Sequence, residues 1–164
     1  MVLERVWKGL LLVVAVAILV AAVFQLGIVS APWSDDAADV RVLGDDGDLK
    51  AEVDVEVADT QQERYTGLSD HESLEPGDGM LFVHDDEDER TYVMREMDFD
   101  IDIVFVDADR EITSIQHARA PEPGEDGENL RYTGDAQYVL EVPRGYANET
   151  EMAVGDTLEI DYEE

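Results

Sequence analysis

Two acidic side chains interrupt strongly apolar stretches of this 164-residue sequence. Asp102 enters the run IVFV at 103–106, and Glu141 lies within YVLEV at 138–142. A carboxylate at a half-buried position costs free energy unless it has a partner. Arg95, seven residues earlier in the chain, is a candidate partner for Asp102, and with only 11 Lys and Arg against 41 Asp and Glu each base is informative. We therefore expect an Arg95–Asp102 ion pair, or a functional site that contains both.

The same two carboxylates are the residues that could perform acid–base catalysis. Glycoside hydrolysis uses two carboxyl groups about 5–10 Å apart. Asp102 and Glu141 meet this requirement only if their strands are neighbours and both side chains point to one face. The sequence leaves this open, and structural pairing of each acid is the alternative.

Metal-binding and cofactor patterns are weak. Asp98, Asp100 and Asp102 alternate as on one face of a strand and could hold Ca²⁺, but the glycine and closing Glu of a calcium loop are missing. We favour the interpretation that these three acids form a solvated acidic stripe. The three histidines lack ligand spacing, no cysteine is present, and no Gly-rich phosphate loop or nucleophile elbow occurs. We expect no metal and no cofactor.

Short β-strands must position these residues. Residues 50–57 alternate apolar and acidic side chains, and Thr60 and Glu63 form a capping box ahead of a short helix that ends near Gly67. We predict an all-β fold, a compact antiparallel β-sandwich or partly open barrel with one short helix. Its seven predicted strands are 50–57, 80–83, 91–94, 99–106, 111–117, 137–142 and 157–162.

The N-terminal part differs from the rest in composition. Residues 9–29 form an apolar run long enough to span a bilayer, with Arg5 and Lys8 before it and acids after it. Positive flanks stay cytoplasmic. We expect a cytoplasmic segment at 1–8, a transmembrane signal-anchor at 9–29, a flexible acidic linker at 30–47 and an extracytoplasmic β domain at 48–164. A cleaved signal peptide is the rival interpretation.

The charge indicates the environment. A formal net charge of -30 repels nucleic acid and anionic lipid headgroups. Because the acids run through the whole domain, we interpret them as adaptation to high salt, and an acidic patch for a cationic partner is the alternative. Asn148 begins a weak glycosylation sequon, NET, that an outward-facing domain could use.

The order of short motifs resembles the bacterial and archaeal family called domain of unknown function 192. The matching segments cover roughly residues 50–162: ERYTGL at 63–68, GMLFV at 79–83, MR at 94–95, IDIVFV at 101–106, LEVPRG at 140–145 and GD at 155–156. The resemblance implies a compact β-sandwich or barrel-like domain and no established reaction. The chain departs from the family pattern at Val93, Glu96, Met97 and Asp100, so a pocket built there would have altered chemistry.

These observations favour a non-enzymatic, membrane-tethered β domain that binds a small molecule, glycan or envelope partner. Arg64, Arg95, Asp102 and Glu141 would form its polar cluster. The alternatives are a hydrolase of cell-surface carbohydrate that uses Asp102 and Glu141, and a purely structural envelope protein.

Salt should stabilise the fold. Self-repulsion among the acids destabilises it at low ionic strength, and molar salt shortens the screening length to about 3 Å. The melting temperature should therefore rise as NaCl increases from about 0.1 M to several molar. Thermal melts followed by circular dichroism would measure it, and a flat melting temperature over that range would contradict adaptation to high salt.

Overall fold

The computed structural model describes residues 36–163. An all-β fold with one short helix in its first half is confirmed, and a second helix of four residues follows the sixth strand. Short 3-10 helices occur at Gly67–Asp70 and Gly127–Asn129. The elements are β1 (Asp36–Leu43), β2 (Leu49–Ala58), α1 (Gln61–Thr66), β3 (Asp78–Val93), β4 (Ile101–Val106), β5 (Ile112–Ala118), β6 (Arg131–Pro143), α2 (Tyr146–Glu149) and β7 (Thr157–Tyr162).

The strands form one open sheet in the order β5-β4-β6-β3-β2-β1-β7. All neighbours are antiparallel except β2 and β3, which run parallel. The two ends of the sheet approach each other at one corner, where Glu111 bridges to Thr157. The partly open barrel is therefore the predicted form that this topology fits, and the two separate sheets of a sandwich are not observed in residues 36–163.

The predicted flexible linker is wrong for Asp36–Leu43, which form β1 between β2 and β7. Ala38, Val40 and Val42 alternate along one face and are buried, while Asp39 and Arg41 lie on the other face and are exposed. The dense Asp content hid this alternation, and the domain begins at least twelve residues before the predicted boundary at 48. The predicted strands 80–83 and 91–94 are likewise one strand, β3, because residues 88–93 continue to pair with β6.

The predicted membrane anchor at 9–29 lies outside the described residues. Within 36–163, no helix is long and apolar enough to span a bilayer. The anchor and the outward orientation of the domain stay predictions.

The sheet is buried on both faces where β3, β4 and β6 meet. All six residues of β4 are buried, and they alternate between two core clusters. Val104 belongs to the first core cluster with Leu81, Leu140 and many valines of β1 and β2. Ile103 belongs to the second core cluster, on the other face. That cluster also contains Leu68, Met80, Phe82, Met94, Met97, Phe105 and Val139.

The connection from β2 to β3 covers the second core cluster. Thr60 and Glu63 form the predicted capping box at the start of α1, and Gly67 ends the helix with a φ of 51°. A Cβ at Gly67 would lie 3.2 Å from the Phe82 ring, so glycine allows both this backbone conformation and this close approach. Leu68, next in the chain, is buried in the second core cluster.

Candidate functional site

A cavity of about 260 Å³ lies between the α1 segment and the β3–β6 part of the sheet. It contains three of the chain's 11 basic residues and one acid. Apolar side chains from the second core cluster form part of its wall. Its lining residues are Arg64, Tyr65, Thr66, Gly67, Leu68, Ser69, Phe82, His84, Arg90, Thr91, Tyr92, Val93, Arg95, Met97, Ile101 and Glu141.

Glu141 is the acid of this cavity. It lies on β6, is only 5% exposed, and receives no side-chain or backbone hydrogen bond from residues 36–163. Burial raises the pKa of Glu141 to about 8, because it removes the hydration that stabilises the ionised carboxylate. At neutral pH the side chain is therefore largely a carboxylic acid, which can donate one hydrogen bond into the cavity and accept others.

Two further titratable side chains on β3 are uncharged at neutral pH. His84 Nε2 lies 2.9 Å from the Tyr92 hydroxyl. Burial lowers the pKa of His84 to about 4, helped by the positive charges of Arg90 and Arg64. Burial also raises the pKa of Tyr92, and Glu141 adds to the effect. The cavity thus presents neutral donors and acceptors from both side chains.

Arg64 extends from α1 and binds backbone carbonyls rather than an acid. Its Nη1 donates to the carbonyl of Val83 at 2.7 Å and also to the carbonyl of Asp59. None of its nitrogen atoms lies within ion-pair distance of a carboxylate among residues 36–163. A guanidinium has five N–H donors, so further donors are free for a ligand.

The other two arginines are tied to acids at the cavity rim. Arg90 donates to the Asp86 carboxylate at 2.7 Å. Arg95 donates to Glu128 at 3.3 Å and to the Tyr65 carbonyl at 2.5 Å, and its guanidinium stacks 3.9 Å from the centroid of the Tyr65 ring. Their charges are therefore partly compensated, unlike that of Arg64.

The family model described as DUF192, an uncharacterized ACR, matches residues 42–160. The chain belongs to this family. No curated protein matches the chain.

Two crystal structures share the DUF192 fold of this chain. One is a candidate transcription regulator from Sinorhizobium meliloti 1021, with 23% identity and a TM-score of 0.71, covering 79% of this chain and 98% of that one. The other is a protein of unknown function from Novosphingobium aromaticivorans DSM 12444, with 29% identity and a TM-score of 0.66, covering 80% of this chain and 91% of that one.

Asp102 lies away from the cavity of the DUF192 domain. It is fully buried, and its carboxylate accepts from His117 Nδ1 at 2.6 Å, from the backbone amides of Gly145 at 2.9 Å and Ala147 at 3.2 Å, and from Arg144 at 3.5 Å. Burial raises the pKa of Asp102, while the two amides and Arg144 oppose this. The predicted Arg95–Asp102 pair is therefore wrong: Asp102 instead fixes the turn after β6 against β4.

The predicted catalytic pair also fails on geometry. Asp102 pairs with Val142 across β4 and β6, and Ile103 pairs with Glu141. Side chains alternate between the faces of a strand, so Asp102 points to the first core cluster and Glu141 to the second. The strands are neighbours, but the two acids lie on opposite faces of the sheet. The structure brings together Arg64, Arg95 and Glu141, and excludes Asp102 from the predicted cluster.

Sequence reasoning missed the contribution of β3. His84, Arg90 and Tyr92 reach the cavity because β3 continues as one strand past residue 83. The signal was the even-numbered alternation at 82, 84, 90 and 92, which the acidic segment between them obscured. Among residues 36–163 no group of three or more His, Asp or Glu is placed to hold a metal. Asn148 is exposed on α2, and its glycosylation stays a prediction.

Removing the Asp102 carboxylate should destabilise the DUF192 domain. Asp102→Ala leaves two buried amide donors without an acceptor, so the free energy of unfolding should fall by about 2–4 kcal/mol. Urea denaturation would measure it. Asp98→Ala, at an exposed acid close to Asp102 in sequence, should change it by less than about 0.5 kcal/mol. Equal effects of the two variants would show that the Asp102 contacts do not hold the turn.

Glu141 should make stability depend on pH. A Glu whose pKa is raised in the folded state does not reduce the stability of the protein below its unfolded pKa. As the pH rises from there to about 8, the free energy of unfolding falls, because folding then requires proton uptake. Glu141→Gln cannot titrate. Relative to wild type, the variant should gain about 3 kcal/mol in free energy of unfolding between about pH 5 and pH 8.

Urea denaturation of both proteins at fixed ionic strength would measure this difference. The subtraction cancels the titration of the many other acids. A constant difference between the two proteins across this range would show that Glu141 is ionised in the folded state.

Proposed function

We propose that this DUF192 domain is a non-enzymatic binding module that holds a small molecule in the Glu141 cavity. The observation that carries the proposal is a buried carboxyl group directed into a cavity without a hydrogen-bond partner among residues 36–163. Leaving a polar group buried and unpaired costs free energy. A ligand that supplies the missing partner gives this costly arrangement a use.

The size and composition of the cavity support a small ligand. Its volume of about 260 Å³ falls just below the ~300–1,000 Å³ typical of pockets for drug-sized molecules. Apolar walls with a few converging polar groups are typical of small-molecule sites. We further propose that the predicted helix at 9–29 holds this module at the outer face of a membrane, where it would meet ligands from outside the cell.

The hydrolase alternative has less support. Among the described residues that line the cavity, Glu141 is the only acid, and none of them supplies the second carboxylate that glycoside hydrolysis uses. Nor do we extend the regulatory role of the Sinorhizobium meliloti protein to this chain. A net charge of -30 opposes contact with nucleic acid.

Replacing Glu141 should separate stability from binding. Glu141→Leu removes the unpaired carboxyl at similar volume, so the melting temperature should rise while ligand binding is lost. A fragment library screened by amide chemical shifts would find ligands that perturb Gly67 and Tyr92 in wild type and not in the variant. The matched control is Glu75→Leu, at an exposed acid outside the cavity, which should keep binding.

Either of two results would contradict the proposal. One is a screen in which no compound perturbs the amides of the cavity. The other is a Glu141→Leu variant that binds the same compounds as wild type with the same affinity. A silent screen together with a stabilised Glu141→Leu variant would favour the purely structural alternative.

A further inference from the structure

The charges around the Glu141 cavity do not cancel. Arg90 and Arg95 each have a carboxylate partner at the rim, Asp86 and Glu128 respectively. Arg64 has none among residues 36–163 and binds only carbonyl oxygens. Among the described residues Arg110 and Arg131 also have no carboxylate within ion-pair distance, but neither of them lines this cavity. One positive charge at the cavity is therefore left without a counter-charge from the described residues.

The acid inside the cavity does not supply that counter-charge at neutral pH. Burial raises the pKa of Glu141 to about 8, so the side chain is largely protonated. His84 and Tyr92 are also uncharged there, since burial lowers the pKa of the one and raises that of the other. The interior thus offers a carboxylic O–H donor and free guanidinium donors, and lacks a fixed negative charge.

The remaining wall is apolar. Leu68, Phe82, Met97 and Ile101 line the cavity and belong to the second core cluster. The Phe82 ring packs edge-on against Tyr92, with centroids 5.0 Å apart. A ligand that fills the cavity must place an apolar body against these side chains and an acceptor group near Arg64 and Glu141.

We propose that the ligand is a small organic monocarboxylate whose carboxylate pairs with Arg64, accepts a hydrogen bond from Glu141, and whose hydrocarbon part packs on Phe82 and Met97. This inference rests on the function proposed above. A carboxylate matches the planar fork of a guanidinium, and one negative charge balances the one uncompensated positive charge.

Two other ligand chemistries fit less well. Inorganic phosphate carries up to two charges at neutral pH and has no apolar part, so it would leave one charge unbalanced and the apolar wall bare. A neutral amide of the same shape would leave the Arg64 charge unpaired. Phosphate and an amide are therefore the comparison ligands that test the assignment.

Equilibrium dialysis of the full chain against radiolabelled butanoate, at constant ionic strength and pH 7, tests the proposal. One butanoate should bind per chain. Unlabelled butanoate should displace it, whereas butanamide and inorganic phosphate should compete at least about tenfold more weakly, the factor expected for one charge-assisted hydrogen bond.

Variants of Arg64 provide the second measurement. Arg64→Gln should weaken butanoate binding at least about tenfold, and Arg64→Lys, which keeps the charge, should weaken it less. Arg110→Gln is the matched control: it removes an arginine that lines no part of this cavity, and should leave binding unchanged. A melting curve for each variant checks that it is folded.

The outcomes separate this inference from the function on which it rests. If butanamide binds as tightly as butanoate, or Arg64→Gln binds butanoate like wild type while folded, the monocarboxylate assignment is overturned and a small-molecule site still stands. Tighter binding of phosphate than of butanoate overturns it as well. If neither butanoate nor any compound of the fragment library binds, both proposals fall.

Discussion

Backbone pairing between β4 and β6 decides what Asp102 and Glu141 can do. The register sets Asp102 opposite Val142 and Ile103 opposite Glu141. Because side chains alternate along a strand, this register sends the two acids to opposite faces of the sheet. A slip of one residue between these strands would place both acids on the same face of the sheet and take one of them away from its present partners. The chemistry of the domain therefore depends on hydrogen bonds that involve neither side chain.

Asp102 and Glu141 then meet opposite conditions. Four donors surround Asp102, two of them backbone amides at the start of α2, so its carboxylate contributes to the fold. Glu141 has no donor among the described residues and faces a cavity. Among the described acids, burial distinguishes these two, together with Asp156 that pairs with Lys50, from the solvated majority.

Local features of the fold were predictable from the sequence. The capping box of Thr60 and Glu63, the glycine at 67 and the apolar β4 appear where their patterns predict them. The pairing of distant residues was hard to predict from the sequence, because strand order and register are set by contacts between segments far apart in the chain. The Arg95–Asp102 pair was inferred from proximity in sequence. The β3 residues of the cavity were not predicted, because the sequence pattern indicated two short strands in place of one long strand. Dense surface acids also concealed β1. Its alternation is visible only when Asp39 and Arg41 are assigned to the face that contacts solvent.

The parallel pairing of β2 and β3 has a consequence for how relatives of this chain could diverge. Two parallel neighbours require a crossover connection, and here that connection carries Arg64, Gly67 and Leu68 over the cavity. The sheet forms one wall of the cavity and the crossover connection forms the opposite wall. The sequence of the connection could therefore change in evolution independently of the sheet. Insertions or deletions in the crossover connection would change the volume of the cavity without changing the register of the strands. If the proposed binding function holds, members of the family could differ in the ligand they bind while keeping the same sheet.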